Sequence, residues 1–166
     1  MPVTIQLANI LDLNVDVIVN SAHPTLMAGG GVCGAIHAAA GPELEHAAMS
    51  LGPLQPGQAI VTPGFNLKAR YVIHAVAPVY RNGDAAEVAK LAETYRSALS
   101  HHDQLTDVNS IAFPSIGTGI YNWPIEIASE IAIRELSKSQ FELTIMCVMD
   151  KKLQQAYQQA LDKASQ

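Results

Sequence analysis

Two glycine-rich segments contain the residues best suited to bind an anion. They are GGGVCG at residues 29–34 and PSIGTGIYN at residues 114–122. No Lys, Arg, Asp or Glu occurs in residues 17–42 or 108–125, so neither segment can hold an anion by ion pairing. Backbone N–H groups could hold it, because glycine lets a ligand approach the main chain and a following helix adds partial positive charge. Two such segments facing each other would suit a diphosphate.

The glycines could instead serve only to shape turns. For Gly117-Thr-Gly119 alone this simpler interpretation is favoured, because paired glycines are common in loops. Three successive glycines before a predicted helix, at residues 29–31, are less ordinary, since each costs backbone entropy that a simple turn does not require. The presence of both segments in one small chain favours a binding site.

Other phosphate-binding and nucleophile motifs do not occur in the position that each of them requires. There is no G-x-x-x-x-G-K-[ST] run, no G-x-G-x-x-G directly after the first predicted strand, and no G-x-S-x-G. A P-loop NTPase, a nicotinamide-binding Rossmann unit and a hydrolase with a nucleophile elbow are therefore not expected.

The elements that would position these segments alternate between strands and helices. Alternating or β-branched apolar runs predict strands at residues 3–7, 16–20, 58–62, 70–76, 110–113 and 141–148. Helices are predicted over residues 32–40, from Pro42, over 85–100, over 124–136, and after Asp150 as an N-cap. This order predicts a mostly parallel sheet with helices on both faces. Ligands of such sheets bind beyond the carboxyl ends of the strands, where both glycine segments fall.

Length and composition limit the possible classes of protein. The chain has 166 residues and is predicted to form a single domain over residues 1–166. Its net charge of −5 argues against non-specific nucleic-acid binding, which needs basic residues against phosphates. No apolar run is long enough for a membrane span, and the N-terminus lacks the pattern of a signal peptide, so we expect a cytoplasmic protein without membrane contact. Two cysteines form neither a disulfide framework nor a metal site, and no cofactor is expected.

With these segments in place, the chain resembles the macro domain family over nearly its whole length. The matching stretches are DVIVNSAHP at 16–24, GGGVCGAIHAAAGPE at 29–43, YVIHAVAP at 71–78 and IAFPSIGTGIY at 111–121. The resemblance is strongest to the bacterial members that act as O-acetyl-ADP-ribose deacetylases and ADP-ribosyl hydrolases. It implies a three-layer α/β/α fold with a mixed, mostly parallel sheet. It also implies a cleft that binds ADP-ribose, or a derivative such as an ADP-ribosylated protein.

The resemblance implies a binding role for fifteen residues. Asn9 and Ile10 would hold the adenine, and the first glycine segment would wrap the distal ribose and one phosphate. The second segment would offer backbone donors to the diphosphate, with one tyrosine near the ribose. The remaining residues implied are Ala22, His23, Gly30, Gly31, Val32, Cys33, Ser115, Ile116, Gly117, Thr118, Gly119, Ile120 and Tyr121.

The chain departs from the family pattern at several of these positions. Asn9 replaces an Asp that accepts a hydrogen bond from the adenine amino group, which weakens that bond by about 1 kcal/mol. Gly117 replaces a serine, and Ala28 replaces the first of four glycines. In the hydrolytic members an Asn holds the distal ribose and an Asp orients water. These two positions are His23 and Cys33 here.

His23 and Cys33 are therefore the tentative catalytic residues. His23 could accept a proton from a water near the anomeric carbon, or only hydrogen-bond a ribose hydroxyl. Cys33 lies at a helix start, where the dipole favours a thiolate, but a bound diphosphate would oppose ionisation, so we expect a neutral thiol. A Cys–His nucleophilic pair is the less favoured alternative.

The remaining notable side chains are expected to be structural. His37 and His74 are predicted to be hydrogen-bonded structural histidines. Trp123 is expected to pack where the second loop meets its helix, and Cys147 to lie in the core.

Two functions of different classes remain open from the sequence. The first is slow hydrolysis of ADP-ribosyl esters, either O-acetyl-ADP-ribose or ADP-ribosylated Asp and Glu side chains. The alternative is a module that binds ADP-ribose or ADP-ribosylated protein without turnover. Removal of the terminal phosphate from ADP-ribose-1″-phosphate is a third, weaker possibility.

Overall fold

The computed structural model describes residues 2–166, which form a six-stranded sheet with helices on both faces. All eleven elements begin within two residues of their predicted starts, and two short 3-10 helices, Ile10–Asp12 and His101–Gln104, were not predicted. The strands are β1 (Val3–Leu7), β2 (Val17–Ser21), β3 (Ala59–Pro63), β4 (Tyr71–Ala75), β5 (Ser110–Phe113) and β6 (Leu143–Val148). The helices are α1 (Gly31–Ala40), α2 (Pro42–Met49), α3 (Ala85–Ser100), α4 (Ile125–Leu136) and α5 (Lys151–Ala164).

The sheet is mixed, as predicted, with the strand order β1-β6-β5-β2-β4-β3. Every neighbouring pair is parallel except β3 with β4, which is antiparallel and places β3 at one edge. The parallel strands β2, β5 and β6 are adjacent, so their carboxyl ends meet at one edge of the fold. The loops that follow these strands are therefore neighbours in space although they are far apart in the sequence.

The two faces of the sheet divide the apolar residues of each strand between them. In β2, Val17 and Val19 pack in the same cluster as residues of α3, α4 and α5. Ile18 packs instead with residues of α1 and α2. All three are almost fully buried, as a central strand covered on both faces requires. The result is the three-layer α/β/α arrangement that the sequence indicated.

A chain of buried hydrogen bonds joins β2, β4 and β3. Asn20 Nδ2 donates to His74 Nδ1 (3.2 Å), and His74 Nε2 donates to Thr62 Oγ1 (3.0 Å). Burial, and secondarily the neighbouring His37, lowers the pKa of His74 to about 3, so its ring is neutral. The prediction that His74 is a hydrogen-bonded structural histidine is confirmed.

The same prediction is wrong for one nitrogen of His37. His37 is buried on α1, and its Nδ1 has no hydrogen-bond partner among the described residues. The reason is tertiary: the neighbouring polar side chains, Asn20 and His74, already pair with each other, and the two histidine ring centroids lie 6.2 Å apart. Burial lowers the pKa of His37, and the Glu45 carboxylate opposes this only partly. His37 therefore also favours its neutral form in the folded chain.

Gly34 lets the first turn of α1 pack directly against the preceding loop. A Cβ atom at residue 34 would lie 2.3 Å from the carbonyl oxygen of Gly29, which is far closer than van der Waals contact. At Gly119, by contrast, a Cβ atom would meet nothing within 4 Å. The glycine at 34 is thus required by close packing of backbone on backbone.

The low pKa of His74 predicts a loss of stability in acid. The unfolded ring titrates near 6.5 and the folded ring near 3, so the unfolded chain binds the proton more readily. This stabilisation is complete above pH 6.5 and declines as pH falls towards 3. Between pH 7 and pH 5 we expect the parent to lose about 2 kcal/mol more unfolding free energy than His74→Gln, measured by urea titration. His46→Gln, at an exposed histidine, is the control. Equal pH slopes for the parent and His74→Gln would contradict the assignment.

Gly34→Ala should destabilise the fold, although alanine favours helices by up to about 1 kcal/mol over glycine. The methyl group must displace the Gly29 carbonyl, at an expected cost of about 1–3 kcal/mol in the free energy of unfolding. Gly119→Ala is the matched control and should change stability by less than about 0.5 kcal/mol. Chemical denaturation of the three proteins measures both values. If Gly34→Ala were as stable as the parent, the Gly29 carbonyl could move without cost, and the claim that close packing requires a glycine at 34 would be wrong.

Candidate functional site

The main cleft lies at the carboxyl ends of β2, β5 and β6. It encloses about 470 Å³, within the range of small-molecule binding sites. Both glycine segments line it, together with the end of β6 and the first turn of α5. The lining residues are Ser21, Ala22, His23, Gly29, Gly30, Gly31, Val32, Cys33, Pro114, Ser115, Gly117, Thr118, Gly119, Ile120, Tyr121, Cys147, Val148, Met149 and Leu153.

The first glycine segment leads into α1 and places the helix N-terminus at the cleft. Gly31 opens the helix with φ +58°, a conformation that favours glycine. The backbone N–H groups of Gly31, Val32 and Cys33 have no intrahelical acceptor, as at the start of any α-helix. Within residues 2–166 no side chain caps this end. Outside the helix, the Ala28 N–H donates to the Glu45 carboxylate, which anchors the segment to α2.

The second glycine segment is held from below by hydroxyl groups of two buried tyrosines. The Ile116 N–H donates to the Tyr95 hydroxyl (3.2 Å), and the Tyr157 hydroxyl lies 2.7 Å from Ser115 Oγ. Ser115 Oγ is in turn 2.8 Å from Thr118 Oγ1. Burial raises the pKa of both tyrosines, so both remain protonated. These contacts position the segment before any ligand binds.

The tip of the second segment offers unpaired main-chain donors. Among the described residues, the amides at positions 117–121 have no hydrogen-bond acceptor. The carbonyls of Gly117 and Gly119, by contrast, accept from Trp123 N (2.9 Å) and Asn122 N (3.0 Å) and so stabilise the turn. The loop thus uses its carbonyls internally and leaves its N–H groups free.

Gly117 is the glycine of this segment that its surroundings require. Its φ is +91°, and a Cβ atom there would lie 2.8 Å from Cδ1 of Trp123. Trp123 is buried, and its indole N–H donates to the carbonyl of Pro78 (2.9 Å). The prediction that Trp123 packs at the junction of loop and helix is confirmed. The ring also explains why a serine hydroxyl has no room at position 117 in this chain.

His23 and Cys33, the tentative catalytic residues, both line the cleft. The His23 Nδ1 accepts a hydrogen bond from the Thr25 N–H (3.1 Å) and lies 2.8 Å from Thr25 Oγ1. Cys33 is half-buried and lies near Tyr121. Burial, with a smaller contribution from Cys33, raises the pKa of Tyr121, so this phenol is protonated at neutral pH. No bond links His23 to Cys33 among the described contacts.

Three of the residues implied by the resemblance lie outside the cleft lining. Asn9 is exposed, and its Oδ1 accepts the Leu11 N–H (3.0 Å), which caps the 3-10 helix Ile10–Asp12. Ile10 is buried in the apolar cluster beneath α1 and α2. Ile116 is fully buried, and its N–H is already used by Tyr95. These positions border the site without contributing side chains to its walls.

Sequence reasoning missed the contribution of β6 and α5 to the cleft. Val148 ends β6, Met149 directly follows it, and Leu153 extends from the first turn of α5. The rule that ligands bind at the carboxyl ends of parallel strands applies to β6 as well as to β2 and β5, and could have indicated these residues. They make one end of the cleft apolar.

Cys147 is both a core residue, as predicted, and part of the cleft wall. It is 5% exposed, and its Sγ donates to the carbonyl of Ala8 (3.1 Å). Burial raises the pKa of its thiol to about 11. This thiol is therefore protonated at neutral pH and contributes to the cleft wall as an uncharged side chain.

The cleft lining contains no permanently charged side chain, and its ionisable groups include His23 and the thiols of Cys33 and Cys147. No Lys, Arg, Asp or Glu is among the lining residues of the described chain. Residues 2–166 contain no cluster of His, Cys, Asp and Glu that could hold a metal ion. Over the same range, no helix is long and apolar enough to cross a membrane. An anion in this cleft would be bound by dipoles and amide donors.

Comparison with known proteins identifies relatives across nearly the whole chain. The family model described as Macro domain matches residues 19–132. A macro domain-containing protein of Ralstonia nicotianae is 45% identical over 159 residues, covering 95% of this chain and 92% of the relative. A protein of Klebsiella pneumoniae named O-acetyl-ADP-ribose deacetylase is 47% identical over 138 residues, covering 79% of this chain and 77% of the relative.

Solved structures show the same architecture. A macrodomain of Oceanobacillus iheyensis with ADP has a TM-score of 0.90 and 35% identity, over 97% of this chain and 90% of that one. A Trypanosoma brucei macrodomain in complex with ADP-ribose has a TM-score of 0.84 and 32% identity, over 96% of this chain and 68% of that one. With the sheet order, the two glycine loops and these similarities together, the chain belongs to the macro domain family.

Proposed function

We propose that this protein binds ADP-ribose in the cleft, with the diphosphate held by main-chain amides. The observation that carries the proposal is the pairing of two sets of free N–H groups, at residues 31–33 and 117–121, across one uncharged cleft. A diphosphate needs several donors at once, and backbone amides at a helix N-terminus provide them together with a favourable dipole. The apolar end formed by Val148, Met149 and Leu153 would accommodate a nucleobase.

The relatives support this assignment. The Oceanobacillus and Trypanosoma macrodomains, similar along almost the whole chain, are described with ADP and with ADP-ribose. The cleft volume of about 470 Å³ suits a ligand of this size. The ligand on this proposal is free ADP-ribose, a derivative, or an ADP-ribosyl group attached to a protein.

The catalytic part of the proposal is slow hydrolysis of ADP-ribosyl esters. Its support is the Klebsiella pneumoniae relative, named O-acetyl-ADP-ribose deacetylase, at 47% identity. Water would attack the ester at the distal ribose, with the diphosphate and the first glycine segment holding the substrate in place. The rate would be low, because His23 and Cys33 stand where the resemblance places an Asn and an Asp.

A binding module without turnover is the second candidate, and the make-up of the cleft favours it. General base catalysis needs a side chain that can accept a proton, and no carboxylate lines the described cleft. Such a module would recognise ADP-ribose or an ADP-ribosylated protein with the same amide donors. Binding is common to both candidates, and only turnover separates them.

Removing one main-chain donor should weaken ADP-ribose binding. Val32→Pro deletes a single N–H in the first helical turn, where proline is tolerated. Hydrogen bonds to charged groups contribute about 1.5–3 kcal/mol, so we expect calorimetry to show at least a tenfold rise in Kd. Val32→Ala keeps the amide and should bind within about threefold of the parent. Thermal unfolding checks that both variants remain folded. Equal affinities for the two variants would contradict amide binding, and no binding by the parent would overturn the proposed function.

Hydrolysis should depend on the two substituted positions. Incubation with O-acetyl-ADP-ribose and with an ADP-ribosylated acceptor should show slow or absent turnover by the parent. We expect a gain of at least about tenfold in the His23→Asn/Cys33→Asp double variant, since a carboxylate then orients water near the ribose. Chromatography of the released products measures the rate. Fast parental turnover that survives His23→Ala would exclude any catalytic role of His23.

A further inference from the structure

The chain between β2 and the first glycine segment is attached to the residues that follow α2. The Leu54 N–H donates to the carbonyl of Pro24 (2.9 Å). The Leu26 side chain is buried, and it packs so closely on Gly52 that a Cβ atom added there would lie 2.7 Å from Leu26 Cδ1. These contacts fix the start of the connection. Neither of them reaches residues 27–29, which lead into α1.

A single hydrogen bond holds residues 27–29. The Ala28 N–H donates to the Glu45 carboxylate (2.5 Å), which lies near the start of α2. Among residues 2–166, no other hydrogen bond is made by the backbone groups of residues 27–29. Gly29 and Gly30 follow directly, and glycine has more backbone freedom than any other residue. Loss of the Glu45 carboxylate would therefore release the chain from residue 27 up to the start of α1.

The Glu45 carboxylate has no competing partner and no direct contact with the cleft. Within residues 2–166 it forms no ion pair with a Lys, Arg or His side chain. Its hydrogen bond with Ala28 is charge-assisted, and such bonds are stronger than those between neutral groups. Glu45 is half-buried on α2 and is not among the residues that line the cleft. It can therefore act on the cleft only through the chain that it holds.

We infer that Glu45 is a positioning residue for ADP-ribose binding and that it acts through Ala28. The inference rests on the proposed function, in which main-chain amides of this segment hold the diphosphate. Gly29 and Gly30 line the cleft, and their N–H groups have no acceptor among the described residues. A stretch that becomes ordered only when the ligand binds reduces the affinity by its loss of entropy. Glu45 orders the stretch in the free protein and so removes this cost.

Calorimetry with ADP-ribose, well below the unfolding temperature of each variant, tests the inference. Glu45→Ala should raise the Kd about three- to tenfold, because the ligand must then order the stretch itself. Glu45→Gln keeps a side-chain oxygen that can accept from Ala28 and should bind within about twofold of the parent. Glu43→Ala, at an exposed glutamate of the same helix, is the matched control and should leave the Kd unchanged. A merely structural role of Glu45 would lower the unfolding temperature without changing the Kd of the folded protein.

Amide hydrogen exchange in the free protein provides a second readout that needs no ligand and no variant. In the parent, the Ala28 amide should exchange at least about tenfold more slowly than the Gly29 amide, although Ala28 is exposed. Glu45→Ala should abolish this difference and leave the exchange of Gly119, in the second glycine segment, unchanged.

The two experiments separate this role from the proposed function. A parent that binds no ADP-ribose would overturn the proposed function. If the parent binds and Glu45→Ala binds equally well, the positioning role alone is wrong. It is also wrong if Glu45→Gln or Glu43→Ala loses as much affinity as Glu45→Ala, or if Ala28 exchanges as fast as Gly29 in the parent.

Discussion

The site depends on backbone N–H groups that the fold leaves without acceptors. With the exception of Gly117, these amides belong to exposed or half-buried residues, so a ligand that accepts hydrogen bonds can reach the whole cluster. Here the cluster comes from two places at once: the first turn of α1 and the tip of the loop after β5. The parallel strands β2 and β5 bring these two groups of amides together, because the carboxyl ends of both strands lie at the same edge of the sheet. An anion bound at this place would be held without any positive side chain.

Such a site works only if its loops are rigid before the ligand arrives, because loop ordering on binding would consume affinity. The structure meets this requirement with buried side chains beneath each loop. Tyr95 and Tyr157 support the second loop from α3 and α5, and Trp123 packs against Gly117. Under the first loop, Gly34 lies directly against the backbone of Gly29. These supporting residues come from different parts of the chain. Both loops are therefore held in place by contacts with the packed core.

The described cleft lining has no charged side chain, which limits both the reactions that the cleft could catalyse and the way in which it could bind a ligand. The titratable side chains that line the described cleft are His23, Cys33, Tyr121 and Cys147. The pKa of Tyr121 is raised and that of Cys147 is raised to about 11, so neither supplies a base at neutral pH. The Nδ1 of His23 already accepts from Thr25. These surroundings support binding and offer little capacity for proton transfer.

The sequence by itself determined the order of elements, the parallel character of the sheet and the place of the two glycine loops. These follow from local rules, since hydrophobic periodicity and glycine geometry act over a few residues. The tertiary structure alone decided which groups remain free. Asn9 uses its oxygen on Leu11, Ile116 uses its amide on Tyr95, and the end of β6 joins the wall. The hydrogen-bond partner of a polar group can be a residue far away in the chain, so local sequence patterns do not predict it.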